Sequence, residues 1–216
     1  AVFTKNIFTD LMFIDEFKKM DIALVDIDEK RLKISHELLD VIAKKFNASP
    51  NIKSYTDRRE ALVGSDFIQS TIQVGGYKPS TVIDFDIPKQ FGLRQTIADT
   101  LGIGGIMRGL RTIPVLVDIG KDIMELCPNA LWLQYVNPMC SNMIAINNAC
   151  PGIKSVGLCH SVQGTAEMLA KDLNEKIEDI DYLCAGINHM AFYKKFLKKN
   201  GDIEEDLYTR LKKLAD

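Results

Sequence analysis

The chain has 216 residues, 46% of them hydrophobic and 26% charged, with 27 Lys and Arg against 29 Asp and Glu for a formal net charge of −2. This is ordinary globular composition; its basic residues are scattered among acids, which argues against a nucleic-acid partner, and no stretch approaches the ~20 apolar residues of a membrane span. Five cysteines, an odd count without a tight repeat, point to reduced thiols and a soluble, cytoplasmic protein. The chain opens on Ala1-Val2-Phe3 without an initiator Met or a signal peptide, so a missing start is expected.

Asp21 to Asp28 is a short apolar run ending in acids, and Leu32, Leu39, Ile42 and Phe46 then recur at helical spacing up to Pro50. Phe67 to Ile72 predicts a second strand, closed by Val74-Gly75-Gly76. Gly102, Gly104 and Gly105 form a flexible loop before a helix marked by Ile106, Leu110, Ile113 and Val117 and closed by Pro128. Strands follow at Leu131 to Val136, Ile153 to Leu158 and Tyr182 to Ile187, with helices at Ser141 to Ala149 and Thr165 to Leu173. The tail from Asp202 to Asp216 reads as a charged amphipathic helix. This alternation predicts an α/β fold, a Rossmann-like doubly wound parallel sheet followed by the start of a second α+β domain. The expected division is 1–160 for the first domain and 161–216 for the second.

Ligands bind such sheets at the carboxyl ends of the strands, where this chain places Asp26, Asp28, Gln73, Asn137, Cys159, His160, Asn188 and His189. Asp26 can hold the ribose hydroxyls of an adenine dinucleotide and repel a 2′-phosphate. With Asp28 as a helix cap, it can equally be ordinary strand-end polarity. Asn137-Pro138 is a rigid turn with an amide to offer, or simply a turn. Cys159 and His189 each end a predicted strand, and a thiolate with a neutral imidazole makes half a divalent-metal site; a buried thiol beside a core histidine is the plainer alternative. Adjacent strand side chains point to opposite faces, so His160 cannot easily share an ion with Cys159 and is an acid/base candidate instead. His36 reads as exposed surface, the other four cysteines as small buried hydrophobes, and Trp132 as core. The glycine-rich segment, flanked by Arg94, Asp99, Arg108 and Arg111, suits either an anion cradle or a mobile lid.

Five segments in order, VGGY (74–77), GLRQTIADTLGIGGIMR (92–108), YVNPM (135–139), GLCHSVQGTAE (157–167) and CAGINHMAF (184–192), resemble the family-4 glycoside hydrolases, and the resemblance runs essentially end to end. It implies an NAD-dependent glycosidase outside the two-carboxylate scheme. Hydride leaves C3 of the sugar, a base takes the proton from C2, the glycosidic oxygen is eliminated, water adds at C1, and the hydride returns. By resemblance, Cys159 and His189 hold a divalent cation, usually Mn²⁺, while Asn137 and Asn188 hold the sugar and Asp26, Gln73 and Asn137 serve NAD. Asp99 and His160 are the catalytic candidates, Asp99 as the leaving-group acid.

His160 follows the metal cysteine where the phosphosugar branch has an acid, which points to unphosphorylated α-galactosides such as melibiose. α-Glucosides and α-glucuronides are alternatives within the family. The resemblance further implies a homodimer or homotetramer. It also implies a fragment, lacking the Gly-rich phosphate turn before Ala1 and the catalytic base beyond Asp216. Two rivals remain: a lactate- or malate-type dehydrogenase, whose His, Asp and Arg trio cannot be assembled here, and a non-catalytic NAD-binding module.

Overall fold

A computed structural model describes residues 2–96, 99–200 and 203–215. In chain order the elements are α1 (Val2–Leu11), β1 (Asp21–Val25), α2 (Glu29–Lys45), β2 (Asn51–Tyr55), α3 (Arg58–Leu62), β3 (Phe67–Ser70) and α4 (Val82–Gln90). They continue through α5 (Gly102–Leu126), β4 (Leu131–Gln134), α6 (Met139–Ala149), β5 (Ser155–Gly157), α7 (Ser161–Asp172), β6 (Ile180–Ile187), β7 (Met190–Asn200), β8 (Ile203–Asp206) and α8 (Tyr208–Ala215). Strands β3, β4 and β5 hydrogen-bond in that order. The expected α/β, Rossmann-like class holds, with an antiparallel α+β portion at the end.

The chain divides into two compact units. The first comprises Ala1–Thr71, Leu116–Leu133 and Asn147–Ser155. Its β1 and β2 pair in parallel, with Ile22 opposite Ile52, and α2 lies on them because Leu39 and Ala43 recur on one face and bury with Phe8 and Met12 of the α1 region. Asp28 starts α2 by accepting the Arg31 backbone N–H at 3.0 Å. Trp132 is fully buried and donates its indole N–H to Ser70 Oγ at 2.7 Å, so the core reading of this residue holds.

The second unit comprises Ile72–Val115, Gln134–Ile146 and Val156–Asp216. Its β6, β7 and β8 form an antiparallel sheet. One face of α7, Ala166, Ala170 and Leu173, closes with Ile180, Phe196 and Leu207 into a core. Phe196 has no exposed surface, and its truncation to Ala would cost about 3–5 kcal/mol.

Several local expectations change. The segment Asn51–Tyr55 is a strand, hidden in the sequence because Asn, Lys and Ser interrupt the apolar signal. The glycines are not a flexible loop: Gly102 opens α5, and Gly104 and Gly105 form its first turn. The helix also runs through Pro114 to Leu126. The tail contains β8 before a shorter helix, α8, because β7 supplies an edge for Ile203–Asp206 to pair with. His36 is half-buried, not exposed, and bonds Ser54 Oγ at 2.7 Å. Cys127 and Cys150 are buried as expected, whereas Cys140 and Cys184 are only half-buried.

Candidate functional site

The turn after β4 is built by two fully buried amides, Gln134 and Asn142. The Gln134 side-chain oxygen accepts the Val136 N–H, and Asn142 Nδ2 donates to the Val136 carbonyl at 2.9 Å. Asn142 N–H also donates to Pro138 O at 2.9 Å, starting α6. This fixes Asn137 at the end of the turn. Beside it, Leu158 N–H donates to Gln134 O at 2.9 Å. Gly157 has no room for a side chain: a Cβ there would lie 2.9 Å from the Met139 thioether. The end of β5 can therefore approach α6 closely and deliver Cys159 two residues later.

Cys159 lies in the loop before α7, where Ser161 N–H donates to its Sγ at 3.4 Å and Ser161 Oγ lies 3.0 Å away. His189 comes from elsewhere. It is the second residue of the Asn188-His189 loop between Ile187 and Met190, which pair across the β6–β7 hairpin. Its backbone is left-handed, φ 64°, a conformation uncommon outside Gly but enriched in His. The two side chains meet at 3.4 Å, Sγ to Nε2. The expected pairing of Cys159 and His189 is thus present, but the expected cause, neighbouring parallel strand ends, is not. A loop and an antiparallel hairpin make the contact.

The other face of the imidazole is occupied. Nδ1 of His189 lies 3.0 Å from Thr100 Oγ1, and Thr100 Oγ1 donates to Asp99 Oδ1 at 3.4 Å. The second Asp99 oxygen accepts from Asn137 Nδ2 at 3.4 Å and faces Arg108 Nη1 at 3.7 Å. Burial pulls the pKa of the Arg108 guanidinium down, against the pull of Asp99 and Asp84. Gly105 makes this arrangement possible, since a Cβ there would stand 2.5 Å from the Thr100 carbonyl carbon. Thus Asp99, Asn137, Cys159 and His189 join one network with Arg108, Thr100 and Ser161. Thr100 and Ser161 were not singled out by sequence; only their places beside Asp99 and Cys159 hint at them.

His160 is exposed at the start of α7, in a loop and not on a strand, so strand alternation does not govern its direction. Asn188 carries a buried Oδ1 without a hydrogen-bond partner among the described residues. Gln73 spends its amide N–H on Thr81 Oγ1 at 2.7 Å, fastening the turn that contains Gly75. Asp26 belongs to the first unit and is gripped by Arg31, at 3.1 Å from Nε and 2.7 Å from Nη2, and by the Asp28 N–H at 2.9 Å. Burial would raise its pKa, but these donors outweigh that and lower it.

For bonds of the length zinc makes, about 2.3 Å to sulfur and 2.1 Å to nitrogen, two donors to one ion stand roughly 3.1–3.6 Å apart at angles between square and tetrahedral. The Sγ to Nε2 separation of 3.4 Å lies inside this window. Among the described residues no group of three His, Cys, Asp or Glu gathers for a metal, so this pair would leave the remaining positions of an ion to other oxygen donors. Nor is any described helix long and apolar enough to cross a membrane.

The family model for family 4 glycosyl hydrolases matches residues 1–175. An alpha-galactosidase of Bacillus subtilis is 48% identical over the whole of this chain and 49% of its own length. One of Rhizobium meliloti is 38% identical over 88% of the chain and 39% of its own. A gut-microbial 6-phospho-alpha-glucosidase solved in complex with NAD and Mn²⁺ superposes with a TM-score of 0.85 at 25% identity, over 98% of this chain and 47% of its own. The chain therefore spans about half the length of the curated relatives it matches. With the family's model covering most of its residues and a relative 48% identical along its full extent, this chain belongs to the family 4 glycosyl hydrolases.

Proposed function

We propose that the protein carrying this chain is an NAD- and Mn²⁺-dependent glycosidase that hydrolyses α-galactosides. The observation that carries the reading is the convergence of Cys159 Sγ and His189 Nε2 at 3.4 Å, beside Asn137 and Asp99. The substrate class follows from the 48% identity to an alpha-galactosidase, reinforced by His160 directly after the metal cysteine. In this reading residues 1–160 serve NAD and residues 161–216 begin the substrate and metal domain. When bound, the two cofactors supply reversible hydride storage and Lewis-acid polarisation of sugar oxygens.

The chain's own residues then divide the work. Cys159 and His189 are the ligands. Asn188 offers its unpartnered buried oxygen to a sugar hydroxyl, which would relieve the cost of leaving an acceptor dry. Asn137, already bonded to Asp99, keeps a second amide hydrogen and a carbonyl for sugar or cofactor. Asp99 faces Thr100, Asn137 and Arg108 at once, so its place here is to orient them rather than to protonate a leaving group. The exposed His160 takes the acid/base role. Asp26 and Gln73 serve the dinucleotide. A cytoplasmic setting, supported by five free cysteines, and a homodimer or homotetramer, inferred from the family resemblance alone, complete the reading.

The test is turnover of an aryl α-galactoside by the intact protein with NAD⁺, Mn²⁺ and reductant in D₂O, followed by NMR of the sugar. Strict cofactor dependence with deuterium at C2 is expected. Unlabelled product, formed at full rate after NAD⁺ is removed, overturns the proposal.

A further inference from the structure

The geometry points to Thr100 as the residue that fixes which nitrogen of His189 faces Cys159. A carboxylate can only accept, so the single hydroxyl hydrogen of Thr100 is directed to Asp99 Oδ1, 3.4 Å away. The hydroxyl then has only lone pairs to offer His189 Nδ1 at 3.0 Å. The contact is satisfied when Nδ1 carries the imidazole hydrogen, which leaves the Nε2 lone pair facing Cys159 Sγ at 3.4 Å. Sγ in turn accepts the Ser161 N–H at 3.4 Å.

Thr100 is well held for this task. It is 9% exposed, its branched side chain has restricted rotamers, and Gly105 lets its backbone lie against the first turn of α5. Asp99 thus acts on His189 through Thr100, and both are positioning residues. The consequence for metal binding rests on the reading of Cys159 and His189 as ligands; the tautomer itself does not.

The experiment uses the intact protein, stripped of metal by chelator and labelled with ¹⁵N-histidine. His189 is assigned from a His189→Asn variant. The wild type is expected to show Nδ1 protonated and Nε2 bare. Thr100→Val should shift His189 toward the other tautomer and weaken Mn²⁺ binding, read by the EPR signal of free Mn²⁺, by roughly 10-fold or more. Thr100→Ser should restore both. An Nε2-protonated His189 in the wild type overturns the proposal even if the valine variant does not fold, and so does an unchanged tautomer in Thr100→Val. Full Mn²⁺ affinity in Cys159→Ser overturns the metal reading separately and leaves the tautomer result standing.

Discussion

Two polar networks of this chain, one in each unit, have different characters. In the first unit Asp122, with 12% of its side chain exposed, accepts from Arg58 Nε at 2.7 Å and from Arg59 Nη1, and Arg59 Nη2 donates to Glu125 at 2.6 Å. Every charge there meets its opposite, and the network closes on itself. In the second unit the chain from Arg108 and Asn137 through Asp99 and Thr100 ends on Nε2 and Sγ, a nitrogen and a sulfur donor facing each other, with the orphaned Asn188 oxygen on the adjacent residue. A closed set of ion pairs contributes to stability and specifies local geometry. A set that ends in metal-type donors is open to a ligand.

Substitutions sharpen this contrast. The largest effect is expected at Cys159: conversion to Ser should lower kcat/KM of the intact protein by about three orders of magnitude, since Lewis-acid stabilisation is worth several kcal/mol. Cys127→Ser and Cys150→Ser, at thiols whose pKa burial pushes up, should leave turnover near wild type. Steady-state assays of the three variants decide this, and equal losses at all three would erase the distinction.

Next comes Gly105→Ala. Its new methyl meets the Thr100 backbone, so displacement of the network should cost about 10- to 100-fold in kcat. A full-rate alanine variant would show that the close approach is not needed.

Asp26→Ala should free Arg31 for a 2′-phosphate and move the NADP-to-NAD affinity ratio upward by on the order of tenfold, equivalent to about 1.4 kcal/mol. Calorimetric titration with both dinucleotides reads it, and an unchanged ratio would remove Asp26 from the ribose site.

The smallest effect is on stability. Burial would raise the Asp122 carboxyl, but Arg58 and Arg59 hold it below its ordinary 3.8. Its contribution is therefore complete above about pH 4 and is lost as pH falls through the lower folded value, because the unfolded chain binds the proton first. Asp122→Asn should cost about 0.5–1 kcal/mol at neutral pH, a figure already discounted for the solvent-exposed arginines, with the difference from wild type shrinking in acid. Denaturant melts at pH 7 and pH 3 measure it; a constant difference would contradict the pairing.

The fold class was legible because Asp21–Val25, Leu131–Gln134 and the periodic α2 carry strong apolar patterns. Asn51–Tyr55 escaped because a short polar strand depends on its neighbour, not on its own pattern. Cys159 and His189 were legible as residue types, whereas the device that joins them was not: a left-handed His in a hairpin loop is set by strand pairing thirty residues beyond the cysteine. Thr100 was invisible for the same reason, since its role exists only where Gly105 and His189 meet it in space.

The most direct test of the account is the visible and near-ultraviolet absorption of the intact protein loaded with Co²⁺ in place of Mn²⁺. A thiolate-to-cobalt charge-transfer band is predicted in the wild type, in Cys127→Ser and in Cys150→Ser, and its loss in both Cys159→Ser and His189→Asn. A band that survives in Cys159→Ser, or is absent from the wild type, would contradict the claim that Cys159 and His189 together hold the ion.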